Sequence, residues 1–200
     1  AVADSLKAIG RAGAGVNNIP VEEMTRRGVA VFNAPGANAN AVKELVLAGM
    51  LLAARNIPAA WAYVRDLQVD DAAMKAQVEA AKKQFKGFEL PGRTLGVIGL
   101  GAIGVKVSNA AHDLDMRVLG YDPKITVENA WRLNAAIEQA VSVDDLFSRS
   151  QFISVHVPLL DATRHLVNAE RLALMKKPGV ILNFARGEIV DEAAVLAALD

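Results

Sequence analysis

Leu95-Gly96-Val97-Ile98-Gly99-Leu100-Gly101-Ala102-Ile103-Gly104 is the stretch of sequence that decides the fold. It begins as an apolar run typical of a buried strand and then spells Gly-x-Gly-x-x-Gly where a helix over 102–114 is predicted. In this motif the first glycine permits a tight turn, the second lets the backbone approach a pyrophosphate, and the third lets helix and strand pack closely. Free N–H groups and the dipole at the helix start favour phosphate binding.

An acidic residue follows at the spacing that a dinucleotide site needs. Asp122 lies 18 positions after Gly104, at the end of a strand predicted over 117–121. A carboxylate there accepts hydrogen bonds from the ribose hydroxyls and repels a 2′-phosphate, so NAD is favoured over NADP. Lys124 is a nearby cation that would weaken this exclusion. A glycine motif alone is also compatible with an ordinary turn, but strand, turn, helix, strand and acid in this order favour the dinucleotide.

The rest of the chain alternates strand and helix patterns around this motif. Repeated β-α alternation with apolar strands predicts a Rossmann-type, doubly wound parallel sheet covered by helices on both faces. Two shorter strands and a short helix are predicted before residue 37, and an apolar helix is predicted over 41–55. The predicted strands lie at 6–9, 29–32, 95–98, 117–121, 152–156 and 180–184.

Composition excludes several classes of protein. The chain has 200 residues, 52% of them hydrophobic, with 22 basic and 22 acidic side chains and no cysteine. Because these charges balance, the chain has no excess of positive charge to attract nucleic acid or an anionic membrane. Without cysteine there are no disulfides, thiol nucleophiles or cysteine metal sites, and no metal site is expected. No apolar run approaches the roughly 20 residues that span a bilayer. We therefore expect a soluble, cytoplasmic protein.

Several motifs together resemble the D-isomer-specific 2-hydroxyacid dehydrogenases. They occur in that family's order and cover nearly the whole chain: Gly10-Arg-Ala-Gly-Ala-Gly-Val-Asn-Asn-Ile19, Asn33-Ala-Pro-Gly-Ala-Asn-Ala-Asn40, Gly96–Gly104, Tyr121-Asp-Pro123, His156-Val-Pro-Leu159 and Asn183-Phe-Ala-Arg-Gly-Glu-Ile-Val-Asp191. The resemblance implies that residues 1–37 are the remnant of a flavodoxin-like substrate domain. Residues 38–200 are then an NAD-binding domain truncated at its C-terminus. A first residue other than methionine and an end inside a helical pattern also lead us to expect that both termini are cut.

The resemblance assigns roles to individual positions. Arg186 matches the catalytic arginine that grips the substrate carboxylate and polarises its carbonyl, as a planar, always charged guanidinium is able to do. Arg11, Asn38 and Asn40 match substrate-side positions, and the resemblance places Asn38 and Asn40 on the loop between substrate and cofactor. Arg11 favours the branch of the family that acts on the anionic substrate 3-phospho-D-glycerate. The positions that match contacts to NAD are Ala34, Gly99, Gly101, Ala102, Ile103, Gly104, Tyr121, Asp122, Pro123, His156, Val157, Pro158, Phe184 and Ala185.

One feature departs from the family pattern. The histidine that transfers the proton and the glutamate that orients it follow the arginine in such enzymes, whereas His112, His156 and His165 all precede Arg186. We interpret His156 as a residue lining the nicotinamide side and assign no role to the other two. By itself this chain is therefore expected to bind NAD without turning over substrate.

The resemblance implies that the intact protein is an enzyme that transfers a hydride between NAD and a D-2-hydroxy acid, and we expect it to oxidise 3-phospho-D-glycerate to 3-phosphooxypyruvate. Two alternatives stay open. One is glyoxylate or hydroxypyruvate reduction, and the other is a corepressor-like module that binds NAD without catalysis. The helix predicted over 41–55 is apolar on most sides, which predicts a homodimer or a higher homo-oligomer.

Overall fold

The principal sheet has five parallel strands. The computed structural model describes residues 3–199; Ala1 and Asp200, on which the expectation of cut termini rests, lie outside the described residues. The strands are β3 (Thr94–Ile98), β4 (Arg117–Tyr121), β5 (Glu138–Gln139), β6 (Phe152–Val155) and β7 (Val180–Asn183). They lie side by side in the order β5-β4-β3-β6-β7. This arrangement confirms the predicted Rossmann-type sheet.

The strand order reverses direction beside β3. From β3 the chain moves outward through β4 to β5, and it then returns to the other side of β3 for β6 and β7. In open parallel sheets, ligands bind outside the carboxyl ends of the strands at such a switch point. The turns that follow β3 and β6 are therefore brought together at the edge where a ligand is expected.

Helices cover both faces of this sheet. Their bounds are α2 (Ala39–Ala54), α5 (Ala102–His112), α6 (Val127–Arg132), α7 (Val143–Arg149), α8 (Ala169–Leu174) and α9 (Glu192–Leu199). One core cluster includes Val46 of α2, Val107 of α5 and the alternating strand residues Leu95 and Val97. A second cluster joins Ile98 and Ile153 to Leu146 and Phe147 of α7. Because the strand residues point alternately to two apolar clusters, the sheet is buried on both faces.

A smaller unit precedes the principal sheet. Strands β1 (Ala8–Arg11) and β2 (Ala30–Asn33) pair in parallel, and α1 (Val21–Arg26) lies between them in the chain. Met24 of α1 is fully buried. These two strands form a sheet of their own, which is consistent with the predicted change of unit near residue 37 but does not identify a flavodoxin-like fold.

Two helices follow α2 before the first strand of the principal sheet. Helix α3 (Ile57–Asp66) ends at the extended residue Leu67, and α4 (Asp71–Ala81) begins where the Asp70 carboxylate accepts a hydrogen bond from Ala73 N. A 3₁₀ turn (Lys82–Phe85) follows α4. Among the described residues no single helix is long and apolar enough to cross a membrane; α2 and α3 meet that criterion only together, bent by 66°.

Candidate dinucleotide and substrate site

The glycine turn after β3 is built around two close backbone approaches. Gly99 has φ +91° and its N–H donates to Tyr121 O at 2.9 Å, which joins the turn to the end of β4. A Cβ on Gly99 would lie 2.7 Å from His156 O, and a Cβ on Gly104 would overlap Gly99 O. Side chains at these two positions are therefore excluded by backbone atoms of the turns that follow β3 and β6.

The middle glycine faces open space. No heavy atom lies within 4 Å of the position that a Cβ on Gly101 would occupy. Gly101 precedes the first residue of α5, and no hydrogen-bond acceptor is found for the amides of residues 101–104 anywhere in residues 3–199. A helix start with unsatisfied N–H groups and free space in front of it has the geometry that a pyrophosphate needs.

Asp122 lies against this turn and stabilises it. Its Oδ2 accepts a hydrogen bond from Leu100 N, and its Oδ1 accepts one from Lys124 N, both at 2.8 Å. A carboxylate has about four acceptor positions, so two remain for other donors. The half-buried carboxylate of Asp122 thus orders the phosphate-side turn and keeps capacity for ribose hydroxyls, a structural role that spacing alone did not indicate.

A cleft of about 640 Å³ opens between the two units, next to the glycine turn. It is bounded by the β1 loop, the start of α2 and the turns that follow β6 and β7. Its lining residues are Arg11, Ala12, Gly13, Ala14, Gly15, Asn17, Asn38, Val42, Ile103, His156, Val157, Pro158, Leu159, Phe184, Ala185 and Arg186. The structure thus brings Arg11, Asn38, His156 and Arg186, which are 175 positions apart at the extremes, into one cleft.

Arg186 follows β7 and reaches across the cleft. Its Nη1 donates to its neighbour's carbonyl, Ala185 O, at 2.9 Å. Its Nη2 lies 3.1 Å from where a Cβ on Gly15 would stand, so the absence of a side chain at Gly15 leaves room for the guanidinium. The charged end of Arg186 therefore lies between the two units, beside the loop that carries Arg11.

The loop after β1 is held by the end of β2. Asn33 Nδ2 donates to Ala14 O at 2.8 Å, and Ala34 N donates to Gly13 O at 3.0 Å. Arg11 Nε donates to Asn18 Oδ1 at 3.3 Å. These bonds keep the half-buried Arg11 on the cleft side of the loop, facing the same space as Arg186.

The cleft is positively charged. Among the described residues, neither Arg11 nor Arg186 forms an ion pair with a carboxylate, and no aspartate or glutamate lines the cleft. Two guanidinium groups without a protein counter-ion favour an anionic ligand, and each is able to bind a carboxylate or phosphate with two parallel hydrogen bonds.

His156 stays neutral in this cleft at ordinary pH. Burial lowers the pKa of its imidazole to about 4, because desolvation disfavours the charged form. Its Nε2 shares a hydrogen bond of 2.8 Å with Ser154 Oγ, and its Nδ1 has no partner among the described residues. His156 lines the cleft, as the sequence predicted, whereas His112 and His165 do not.

The expectation that Asn40 lies on the loop between substrate and cofactor is wrong. Asn40 is in the first turn of α2, where its Nδ2 donates to Glu44 Oε1 and its Oδ1 accepts from Lys43 Nζ. The helix begins two residues earlier than predicted, so Asn40 is carried onto the helix surface. Asn38 occupies the N-cap position without a side-chain capping bond and lines the cleft.

The other predicted cofactor positions, Ala34 and residues 121–123, lie at the ends of β2 and β4. Gly36, two residues after Ala34, approaches Ala102, since a Cβ on it would be 3.4 Å from Ala102 Cβ. Tyr121, Asp122 and Pro123 continue from the end of β4 beside the turn. Whether each of these residues touches NAD stays a prediction. Sequence reasoning did not single out Ser154, Asn183 or Gly15, whose roles become visible only through their hydrogen bonds and neighbours.

Comparison with known proteins identifies the family. Residues 47–200 match the sequence model described as "D-isomer specific 2-hydroxyacid dehydrogenase, NAD binding domain". The chain belongs to this family. The resemblance drawn from the sequence motifs is thereby confirmed, and so is the assignment of NAD as the cofactor.

Individual relatives support the same assignment over almost the full chain. D-3-phosphoglycerate dehydrogenase from Methanocaldococcus jannaschii is 46% identical over 98% of this chain, which spans 35% of that protein. Hydroxypyruvate reductase from Thermotoga maritima is 40% identical over 96% of the chain and 57% of its own length. The chain therefore spans about a third of the phosphoglycerate dehydrogenases that it matches.

Solved structures agree with this fold. The holo form of D-mandelate dehydrogenase from Rhodotorula graminis superposes with a TM-score of 0.84 at 31% identity, covering 99% of this chain and 56% of that one. The NAD⁺-bound 3-phosphoglycerate dehydrogenase of Entamoeba histolytica has a TM-score of 0.72 at 31% identity, covering 98% and 54%.

The residues present fit an NAD molecule. The open space at Gly101 accommodates a pyrophosphate, Asp122 retains acceptors for a ribose, and the cleft beyond Ile103 is large enough for a nicotinamide ring beside Val157 and Phe184. Lys124 and Asp122 interact through the lysine's backbone amide. The fit therefore depends on backbone geometry at the turn and on side chains in the cleft.

Proposed function

We propose that the protein containing this chain transfers a hydride between NAD and the C2 carbon of a D-2-hydroxy acid, reversibly. The single observation that carries this proposal is Arg186. Its guanidinium has no carboxylate partner in the described structure and lines the same cleft as His156, at the carboxyl edge of the sheet. An unpaired arginine beside a nicotinamide site is suited to the carboxylate of a 2-hydroxy acid.

The residues of this chain have distinct tasks in that reaction. The glycine turn and Asp122 hold the dinucleotide, and when bound, NAD supplies the hydride acceptor. Arg186 binds the substrate carboxylate and polarises the C2–O bond, which stabilises negative charge on that oxygen. Val157 and Phe184 give the cleft apolar walls. The proton of the substrate hydroxyl passes to a general base, which the family resemblance predicts to follow Arg186 in the chain.

Because its pKa is about 4, His156 is a poor candidate for that base. A general base is most effective when its pKa lies near the working pH, and the Nε2 of His156 is already bonded to Ser154. We propose instead that His156 is a neutral wall of the nicotinamide side.

The proposed substrate is 3-phospho-D-glycerate, which is oxidised to 3-phosphooxypyruvate in serine biosynthesis. Its carboxylate and phosphate lie at opposite ends of a three-carbon chain, and the cleft offers two separate guanidinium groups, at Arg186 and Arg11. Relatives named D-3-phosphoglycerate dehydrogenase are 38–46% identical to this chain. Hydroxypyruvate or glyoxylate reduction is the second candidate, because the hydroxypyruvate reductase at 40% identity is almost as similar.

A substrate panel distinguishes these candidates. The natural full-length protein is assayed with NADH and 3-phosphooxypyruvate, hydroxypyruvate or glyoxylate, before and after the change Arg11→Ala. We expect kcat/KM for the phosphorylated substrate to fall at least about tenfold and that for hydroxypyruvate to change little, since one charged hydrogen-bonding partner is worth about 1.5–3 kcal/mol. Equal losses for both substrates would contradict the phosphate role. NADH binding without turnover of any 2-keto acid would favour the corepressor-like module.

We also propose that the protein self-associates through α2 and α3. Leu45 and Leu52 of α2 are 54% and 41% exposed, and Trp61 of α3 is 61% exposed. Large apolar side chains grouped on neighbouring helices are typical of contact surfaces, and two-fold homodimers are the commonest assembly.

A further inference from the structure

Asn183 holds the turn from which Arg186 projects. It is the last residue of β7, paired in register with Val155 of β6. Its Oδ1 accepts a hydrogen bond from Ala185 N at 3.0 Å, and its Nδ2 donates to Arg186 O at 2.8 Å. One side-chain amide thus closes the turn at both of its ends. An asparagine that bonds the backbone two residues ahead is a recognised way of fixing a turn.

The downstream side of Arg186 is fixed by the fold. Ile189 is fully buried, and its N–H donates to Arg186 O at 3.3 Å. Val167 N donates to Ile189 O at 3.1 Å, which connects this segment to the neighbouring strand-like segment. On the upstream side, the side-chain amide of Asn183 holds the backbone in place through its two hydrogen bonds.

The guanidinium of Arg186 depends on this backbone for its orientation. Its one hydrogen bond in the described structure goes to the backbone atom Ala185 O, the carbonyl of the residue whose N–H is held by Asn183. Rotation of the 183–186 turn would therefore carry both Arg186 and its hydrogen-bond acceptor away from the cleft.

We propose that Asn183 is a positioning residue for substrate binding, acting through Arg186. This inference rests on the proposed function, in which Arg186 binds the substrate carboxylate. Asn183 itself does not line the cleft. Replacement of Asn183 should therefore lower kcat/KM for the substrate, and this loss should disappear when Arg186 is also replaced. The phosphate-side contacts to NAD should stay unchanged.

A double-mutant cycle in the natural full-length protein tests this. The variants are Asn183→Ala, Arg186→Lys and the two combined, assayed with NADH and the 2-keto acid that the unmodified protein reduces best. We expect Asn183→Ala alone to lower kcat/KM by about 10- to 100-fold, because small misplacements of a substrate clamp have effects of that size. In the Arg186→Lys background the same change should cost less than about threefold, since residues that act as one unit are not additive. The Kd for NADH should stay within about twofold.

Asn168→Ala is the matched control. Asn168 is also a half-buried asparagine that accepts a backbone N–H, from Arg171 at 3.0 Å, but it caps α8 away from the cleft. We expect this change to lower the urea midpoint while leaving kcat and KM unchanged. If Asn183→Ala does not fold, Asn183→Ser is used in the same cycle, because a serine hydroxyl still accepts the Ala185 N–H but no longer donates to Arg186 O.

The outcomes separate the inference from the proposed function. An unmodified protein that reduces no 2-keto acid would overturn the proposed function, and this inference with it. An active protein in which the losses for Asn183 and Arg186 are additive, or in which Asn168→Ala moves KM as much as Asn183→Ala, would overturn the positioning role alone.

Discussion

Asp122 should decide which dinucleotide this chain binds. The informative change is Asp122→Asn, which removes the negative charge and keeps the size of the side chain. An asparagine has one amide oxygen, so it is able to accept the N–H of Leu100 or that of Lys124, but its NH₂ group would face the other. The change therefore affects both the charge at the ribose and the order of the turn.

The expected preference for NADH over NADPH follows from Coulomb's law. A 2′-phosphate that replaces a ribose hydroxyl would lie about 4 Å from the carboxylate, where like charges repel by about 4 kcal/mol at an effective dielectric of 20. Asp122 is half-buried, so solvent and salt reduce this penalty. We expect NADH to bind about 100-fold more tightly than NADPH, a difference of about 3 kcal/mol.

Calorimetric titration of the 200-residue chain with both dinucleotides measures this preference. In Asp122→Asn the preference should fall below about tenfold, mostly through weaker NADH binding because hydrogen bonds to the ribose are lost. Asp113→Asn is the matched control: it removes the same charge at the opposite end of the 11-residue helix α5, about 16 Å away.

Two results would refute this reasoning. One is equal affinity of the unmodified chain for NADH and NADPH. The other is an Asp122→Asn variant that keeps the full preference, which would mean that steric contacts or Lys124 select the cofactor instead of the carboxylate charge.

Three further predictions concern the glycine turn, pH and assembly. Gly104→Ala should destabilise the chain by about 1–3 kcal/mol or more, because the new Cβ overlaps Gly99 O. Gly101→Ala, whose Cβ meets open space, should instead weaken NADH binding at unchanged stability. Urea unfolding and NADH titration measure the two effects, and an equal loss of stability in both variants would contradict this prediction. Because the folded state lowers the pKa of His156 to about 4, below its value of about 6.5 in the unfolded chain, stability should be complete above pH 6.5 and fall by up to about 3 kcal/mol as the pH decreases toward 4. His156→Gln should flatten that part of a urea-unfolding pH profile, and an unchanged slope would exclude this origin. Leu52→Glu, on the exposed side of α2, should shift sedimentation at tens of micromolar toward monomer. Val127→Glu is the matched control, because it makes the same charge change at an exposed apolar residue at the start of α6; an unmodified chain that is already monomeric would refute this interface.

Local sequence was sufficient for the parts of this protein that depend on neighbouring residues. The strand, the glycine turn and the helix of residues 94–112 occur where the pattern predicted them, and the close approach of Gly104 to Gly99 O lies inside this short segment. The apolar strands of the principal sheet were also predictable, since continuous hydrophobic runs are typical of strands buried on both faces. Strand β5 was missed because it has two polar, exposed residues, Glu138 and Gln139, at the edge of the sheet.

Only the tertiary structure decided which residues from distant parts of the chain lie together. Sequence indicated Arg11 and Arg186 separately, but the cleft that contains both, and the lack of a carboxylate among its lining residues, result from packing between the two units. The low pKa of His156 likewise comes from burial, which no local pattern encodes. Asn40 shows the converse, since one additional half-turn of helix moved it from the expected loop to the surface of α2. Hydrogen bonds and desolvation act over a few ångströms in space, so their partners are fixed by the way the chain packs and not by spacing along it.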